Sequence, residues 1–122
     1  MLYRTFEEMP VWQLADRLDA DLRPLIREAR KRREYRFAEQ LRGAALSIPN
    51  NIAEGFERES RKEFIHFLSI AKGSAGEIRS MLHVARREEL FPAQEIEQLR
   101  NLALDVSRQL AQFIKYLQRR TI

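Results

Sequence analysis

The chain contains no cysteine. That excludes disulfides, thiolate nucleophiles and Cys-ligated zinc, and it suits a reducing cytoplasm. Glycine and proline are scarce, with four of each in 122 residues. So few breakers argue against an all-β fold, which needs many turns. No stretch approaches ~20 uninterrupted apolar residues, and the first thirty residues hold no apolar run suited to a signal peptide. The expectation is a cytoplasmic protein with no membrane association. The catalytic and cofactor motifs that can be recognised by spacing are also missing: no P-loop, no Gly-rich dinucleotide turn and no His-Glu-x-x-His. No cofactor is expected.

Apolar and charged residues are both plentiful. Hydrophobic residues make up 44% and charged residues 33%. One domain over residues 1–122, with one core and long helices with charged outer faces, fits that balance. The formal net charge is +4 and the sequence pI about 9.8. Charge by itself is equally consistent with acidic partners such as nucleic acid and with an Arg-rich surface that only keeps the protein in solution.

Four helical periods run along the chain. Residues 1 to 9 read as an irregular lead-in that Leu2, Tyr3, Phe6 and Met9 could tether. Pro10 stands where a first helical turn tolerates proline. Helix one is predicted from about Pro10 to Arg32, with Val11, Ala15, Leu18, Leu22, Leu25 and Ala29 at steps of four and three. Trp12 lies beside that stripe and could close one end of a core. Pro24 predicts a kink or break near Leu22. Helix two is predicted from about Tyr35 to Phe56. Ser60-x-x-Glu63 is a capping box ahead of helix three, predicted from Arg61 to about Glu89. Its apolar arc is wide enough to meet more than one neighbour. Phe91-Pro92 ends it, and helix four follows from about Ala93 to Arg119. The predicted fold is all-α: an antiparallel up-down-up-down four-helix bundle.

Helix two carries a second stripe beside its apolar face: Gln40, Ala44, Ser47, Asn51, Glu54 and Arg58. Its residues are small or hydrogen-bonding, which predicts a polar network at a helix or subunit contact, with Glu54 inside it. Interior glycines in helix three, Gly73 and Gly76, predict close backbone approach to Gly43, Ala44 and Ala45 on helix two.

Catalytic candidates are few. The two histidines, His66 and His83, fall about 100° apart around helix three and cannot easily share a metal. Glu63-x-x-His66 resembles one half of a di-iron motif, but such sites need two copies and two further glutamates. Ser47 and Ser74 have no histidine partner in sequence reach for triad chemistry. The expectation is a protein that is not an enzyme.

Three segments carry a family resemblance. They are Phe6-Glu7-x-Met9-Pro10-Val11-Trp12-Gln13; then Gln40-Leu41-Arg42 with Ala44-Ala45-Leu46-Ser47-Ile48-Pro49-Asn50-Asn51-Ile52-Ala53-Glu54-Gly55-Phe56; then Arg58-x-Ser60-x-x-Glu63-Phe64 with Phe67-Leu68-x-Ile70-Ala71-x-Gly73-Ser74-Ala75-x-Glu77. Together they resemble the four-helix bundle proteins encoded within intervening sequences of bacterial 23S ribosomal RNA genes. The likeness covers residues 6 to about 90, and Trp12, Ser47, Pro49, Asn51, Glu54 and Gly55 carry its signature. This family is similar to the accessory variability determinant of diversity-generating retroelements. The resemblance therefore implies a homo-oligomer, a pentamer by that likeness, without known catalysis. The partners it admits are RNA or DNA, a reverse transcriptase or a ribosomal component. Gly43 stands where the family often has a second arginine, and Arg36 where it often has glycine. The first departure takes a cation from the signature helix.

The leading functional expectation is nucleic-acid binding through basic surface. Residues 27–36 are the most basic stretch, and Arg30, Lys31, Arg32, Arg33 and Arg36 are its candidates. Arg61, Lys62, Arg119 and Arg120 form a second group. All would contact phosphate and not bases. The alternative is a structural or adapter oligomer whose basic face only confers solubility.

Overall fold

The computed structural model describes residues 2–120. Its elements are a short 3-10 turn at Phe6–Glu8 and helices α1 (Pro10–Lys31), α2 (Tyr35–Glu57), α3 (Arg61–Arg87) and α4 (Ala93–Arg119). Each predicted helix is present, with ends within about two residues of expectation. Among the described residues there is no strand.

Local chemistry explains most of the boundaries. The Met9 carbonyl accepts the Gln13 N–H at 3.0 Å, so α1 starts on a proline that has no N–H to waste. The Ser60 hydroxyl accepts the Glu63 N–H at 3.2 Å and caps α3. The reciprocal half of the capping box is replaced: the Glu63 carboxylate takes Arg58 at 3.3 Å instead. Helix α1 runs without interruption through Pro24, so no break occurs there. Pro24 is exposed, where a displaced carbonyl can turn to water.

Helices α1 and α3 end in the same device. The Glu34 N–H reaches the Ala29 carbonyl at 2.8 Å and the Arg33 N–H reaches the Arg30 carbonyl at 2.9 Å. At the end of α3 the Leu90 N–H reaches the Ala85 carbonyl at 2.9 Å and the Glu89 N–H reaches the Arg86 carbonyl at 3.2 Å. These are Schellman motifs, which need a left-handed residue just past the cap. Arg33 (φ 64°) and Glu89 (φ 55°) supply it where glycine is usual.

The stripes read from the sequence form the core. Leu18, Leu22, Leu25, Leu41, Ile48, Ile52, Leu68, Ile78, Leu82 and Leu110 are fully buried. Burying each such side chain contributes about 1.5–3 kcal/mol relative to exposure. Met9 joins them, so the lead-in is anchored, while Leu2 stays exposed. Trp12 is half-buried, edge-on to Phe6 at 5.3 Å. The helices pack in chain order: α1 on α2, α2 on α3, α3 on α4. The α1–α4 seam closes the square and is the least intimate, and the diagonal pairs do not approach each other.

The glycines overturn one expectation. A Cβ added at Gly43, Gly73 or Gly76 would meet nothing within 4 Å, so these residues do not mediate the α2–α3 contact. Ala44, Ala45, Ala71, Ser74 and Ala75 are small residues buried on these two helices, and Ser74 reaches Ser47 across the contact. The close approach lies at Gly55. There a Cβ would stand 2.8 Å from Phe64 Cδ1 and 2.9 Å from Phe67 Cβ. The last full turn of α2 crosses the first turns of α3 so closely that only a hydrogen fits.

Candidate functional site

The bundle sorts its predicted basic residues into two poles. Residues 27–36 end α1 and begin α2, so Arg30, Lys31, Arg32, Arg33 and Arg36 share one pole with the α3–α4 connection. Arg61 and Lys62 begin α3, and Arg119 and Arg120 end α4, so these four share the other pole. Helices of this length separate the poles by roughly 35–40 Å. The two groups therefore form two patches, not one.

At the first pole the cations divide by what they face. Arg30 pairs with Glu39 at 3.3 Å, and Arg32 pairs with Glu28 at 2.9 Å. Arg32 also donates to the Glu89 carbonyl at 2.7 Å, which ties the two left-handed caps together across the pole. That bond is structural, and no spacing or motif in the chain announces it. Lys31, Arg33 and Arg36 are exposed and face no carboxylate within 4.0 Å among the described residues. Positive charge at the end of α1 also suits the helix dipole.

At the second pole a cleft of about 540 Å³ opens between the α2–α3 connection and the end of α4. Phe56 and Phe64 line it from one side and Tyr116 from the other. Arg61 crosses to donate to the Arg120 carbonyl at 2.7 Å, and the Arg120 guanidinium lies 5.3 Å from the Tyr116 ring centre. Arg58 also borders the cleft. It is neutralised by Glu54 at 3.0 Å and Glu63 at 3.3 Å, and stacks over Phe67. Lys62 and Arg119 are exposed.

The signature residues of α2 play a different part. Asn51 Nδ2 donates to the Ser47 carbonyl at 2.7 Å and to the Ser47 hydroxyl at 2.9 Å. The Ser74 hydroxyl of α3 donates to the same Ser47 oxygen at 2.8 Å. A polar bridge thus joins α2 and α3, as the small polar stripe implied. Glu54 is not part of it: the residue is exposed and turned to Arg58 one helical turn on, where it meets water. Pro49 is buried. The Asn51 amide goes to the Ser47 carbonyl, not to the Ala45 carbonyl whose helical partner Pro49 removes.

No three His, Cys, Asp or Glu side chains converge among the described residues. His66 lies edge-on to Phe67 at 5.5 Å. No helix among the described residues is long and apolar enough to cross a membrane.

Comparison with known proteins agrees with the architecture. A crystal structure from Bacteroides thetaiotaomicron, of a protein with unknown function from the S23 ribosomal protein family, superposes with a TM-score of 0.82. It is 24% identical, and the match covers 86% of this chain and 98% of that one. At that identity the likeness shows the fold. No curated protein matches the chain. The family model of the 23S rRNA-intervening sequence protein matches residues 7–112, which take in α1, α2, α3 and most of α4. The chain belongs to the 23S rRNA-intervening sequence protein family.

Proposed function

We propose that the protein is a non-catalytic, homo-oligomeric bundle that holds nucleic acid by charge at its poles. The observation that carries this reading is the state of Lys31, Arg33 and Arg36. They are exposed, clustered beside one tied pair of caps, and free of carboxylate partners among the described residues. Clustered cations displace counterions condensed on phosphate, and salt removes that gain. Several copies in one assembly would add avidity to weak single contacts. The absence of cysteine suits a cytoplasmic setting. RNA or DNA is the ligand class, and a ribosomal component or a reverse transcriptase the kind of nucleoprotein partner.

The test is an anisotropy titration of labelled duplex DNA and RNA across salt, with light scattering of the same sample. Neutralising about three to five phosphates predicts a slope of log affinity on log salt near −3 to −4.5 on duplex DNA. A Lys31, Arg33, Arg36→Glu variant should lose most of the binding and flatten the slope. Equal binding by parent and variant would sink the electrostatic mechanism. A scattering mass equal to the 14.5 kDa chain would end the oligomer reading.

The adapter reading has its own support. Ile70 (40% exposed) and Tyr35 (59% exposed) leave apolar surface on α3 and α2 that water does not favour. An assembly that forms normally yet binds no nucleic acid at low salt would favour it.

A further inference from the structure

A groove between α3 and α4, midway between the poles, has a composition that neither the helix packing nor the polar charges require. It is shallow, of about 630 Å³, and its polar side chains are hydroxyls and cations with no carboxylate among them. Lys72 and Arg79 border it from α3, and Arg108 and Ser107 from α4. Lys72 faces no carboxylate within 4.0 Å among the described residues, and the one near Arg108, on Asp105, is 3.9 Å away. Arg79 is half-buried and donates one N–H to the hydroxyl of Ser107, which is only 7% exposed. That bond holds the guanidinium over the groove while its remaining N–H groups stay available.

The floor is the second observation. Gly73 and Gly76 line the groove, and nothing lies within 4 Å of where either Cβ would be. Two glycines inside one helix disfavour it, and close packing, the usual compensation, is absent here. Their effect is to leave a hollow between the cations. Lys72 and Arg79 are separated by about two turns, roughly 10 Å along the axis, a span that suits one or two phosphate groups.

We propose that this α3–α4 groove is a phosphoryl-binding site. Arg79 takes the phosphate oxygens in a fork, Lys72 and Arg108 add charge from either side, and the glycine floor admits the group. The ligand is a phosphate ester, presented either by a free nucleotide or by a nucleic-acid strand. The site is independent of the charge at the poles, and either can fail alone.

The experiment follows by NMR, in the full chain, the Arg79 Nε–Hε signal together with the backbone amide signals of Gly73 and Ser107, which line the same groove and serve alone for Arg79→Gln. The titrants are inorganic phosphate, adenosine monophosphate and a short RNA strand without terminal phosphate, at constant ionic strength set with chloride. Parent protein should show a saturable shift with phosphate and a tighter one with the nucleotide. Gly76→Leu keeps every charge and fills the floor, and Arg79→Gln removes the fork. Each should weaken nucleotide binding at least about tenfold. Lys72→Gln, at an exposed site, should weaken it in the same direction and serves if Gly76→Leu melts below the parent. Competition by the RNA strand assigns the groove to a nucleic-acid backbone, and binding of the nucleotide without it assigns the groove to a free ester. A shift that never saturates, or undiminished nucleotide binding in folded Gly76→Leu, overturns the site. Lys31, Arg33, Arg36→Glu should leave nucleotide binding in the groove unchanged, which separates this result from that of the poles.

Discussion

Replacing Gly55 with alanine tests how α2 meets α3. Alanine is the better helix former by about 1 kcal/mol, so an unconstrained site would gain stability. Gly55 is constrained. The new methyl would sit 2.8 Å from Phe64 Cδ1, 2.9 Å from Phe67 Cβ and 3.3 Å from the Phe64 carbonyl oxygen. Carbon atoms prefer a separation of about 3.5–4.0 Å. The Phe64 ring cannot swing away easily, since it is held edge-on by Phe56 at 6.2 Å and Phe113 at 5.5 Å. The Phe67 Cβ moves only with its backbone. With two contacts under 3.0 Å the overpacking falls in the upper part of the usual range, about 2–3 kcal/mol, and set against a propensity gain of about 1 kcal/mol the net loss is about 1–2 kcal/mol. That should lower the melting temperature by roughly 3–10 °C in a domain of this size. The same change at Gly43, which is exposed with open space around it, should stabilise the bundle by about 0.5–1 kcal/mol. Urea and thermal unfolding followed by far-UV circular dichroism would read both variants, at one protein concentration because any self-association makes the melting temperature depend on concentration. Gly55→Ala melting at or above the parent would refute the close approach of α2 to α3.

Other outcomes follow from the same geometry. Arg33→Gly and Glu89→Gly relieve left-handed backbone and should each stabilise by about 0.5–1 kcal/mol in urea titrations, and a loss at either position would contradict its cap. Asn51→Ala leaves the Ser47 hydroxyl with one partner fewer and should cost about 1–2 kcal/mol. A double-mutant cycle with Ser74→Ala should show coupling, and strict additivity would mean that the two bonds act separately.

Much of the fold was legible because its signals are local. Pro10, Ser60 with Glu63, and Phe91-Pro92 mark helix ends through the chemistry of single turns, and the apolar steps along α3 and α4 mark what is buried. The left-handed caps were not legible, because Arg33 and Glu89 occupy positions that glycine would have announced. Interior glycines misled in the opposite direction. A glycine reports that a side chain is unwanted, but not whether a neighbour or a hollow is the reason. Gly55, one of the signature residues and near the end of α2, is the true contact. Glu54 kept helical register with Ser47 and Asn51, yet a charged carboxylate next to Arg58 has more to gain at the surface. Among the candidate cations, sequence could group residues 27–36 but could not tell Arg30 and Arg32, which have carboxylate partners, from Lys31, Arg33 and Arg36.

The uneven seams of the bundle set the order in which it assembles and loosens. Contacts along α1–α2, α2–α3 and α3–α4 join chain neighbours across short turns, so little chain entropy is lost in forming each. Topologies of this kind fold in microseconds to milliseconds. The α1–α4 seam must instead bring together segments from opposite ends of the chain, and it recovers the fewest contacts for doing so. On these grounds it is expected to be the last edge to close and the first to part. Fluctuations of the native state therefore open the bundle along α1–α4 like a book whose spine is the α2–α3 pair, with the Ser47–Asn51–Ser74 bridge as its stitching.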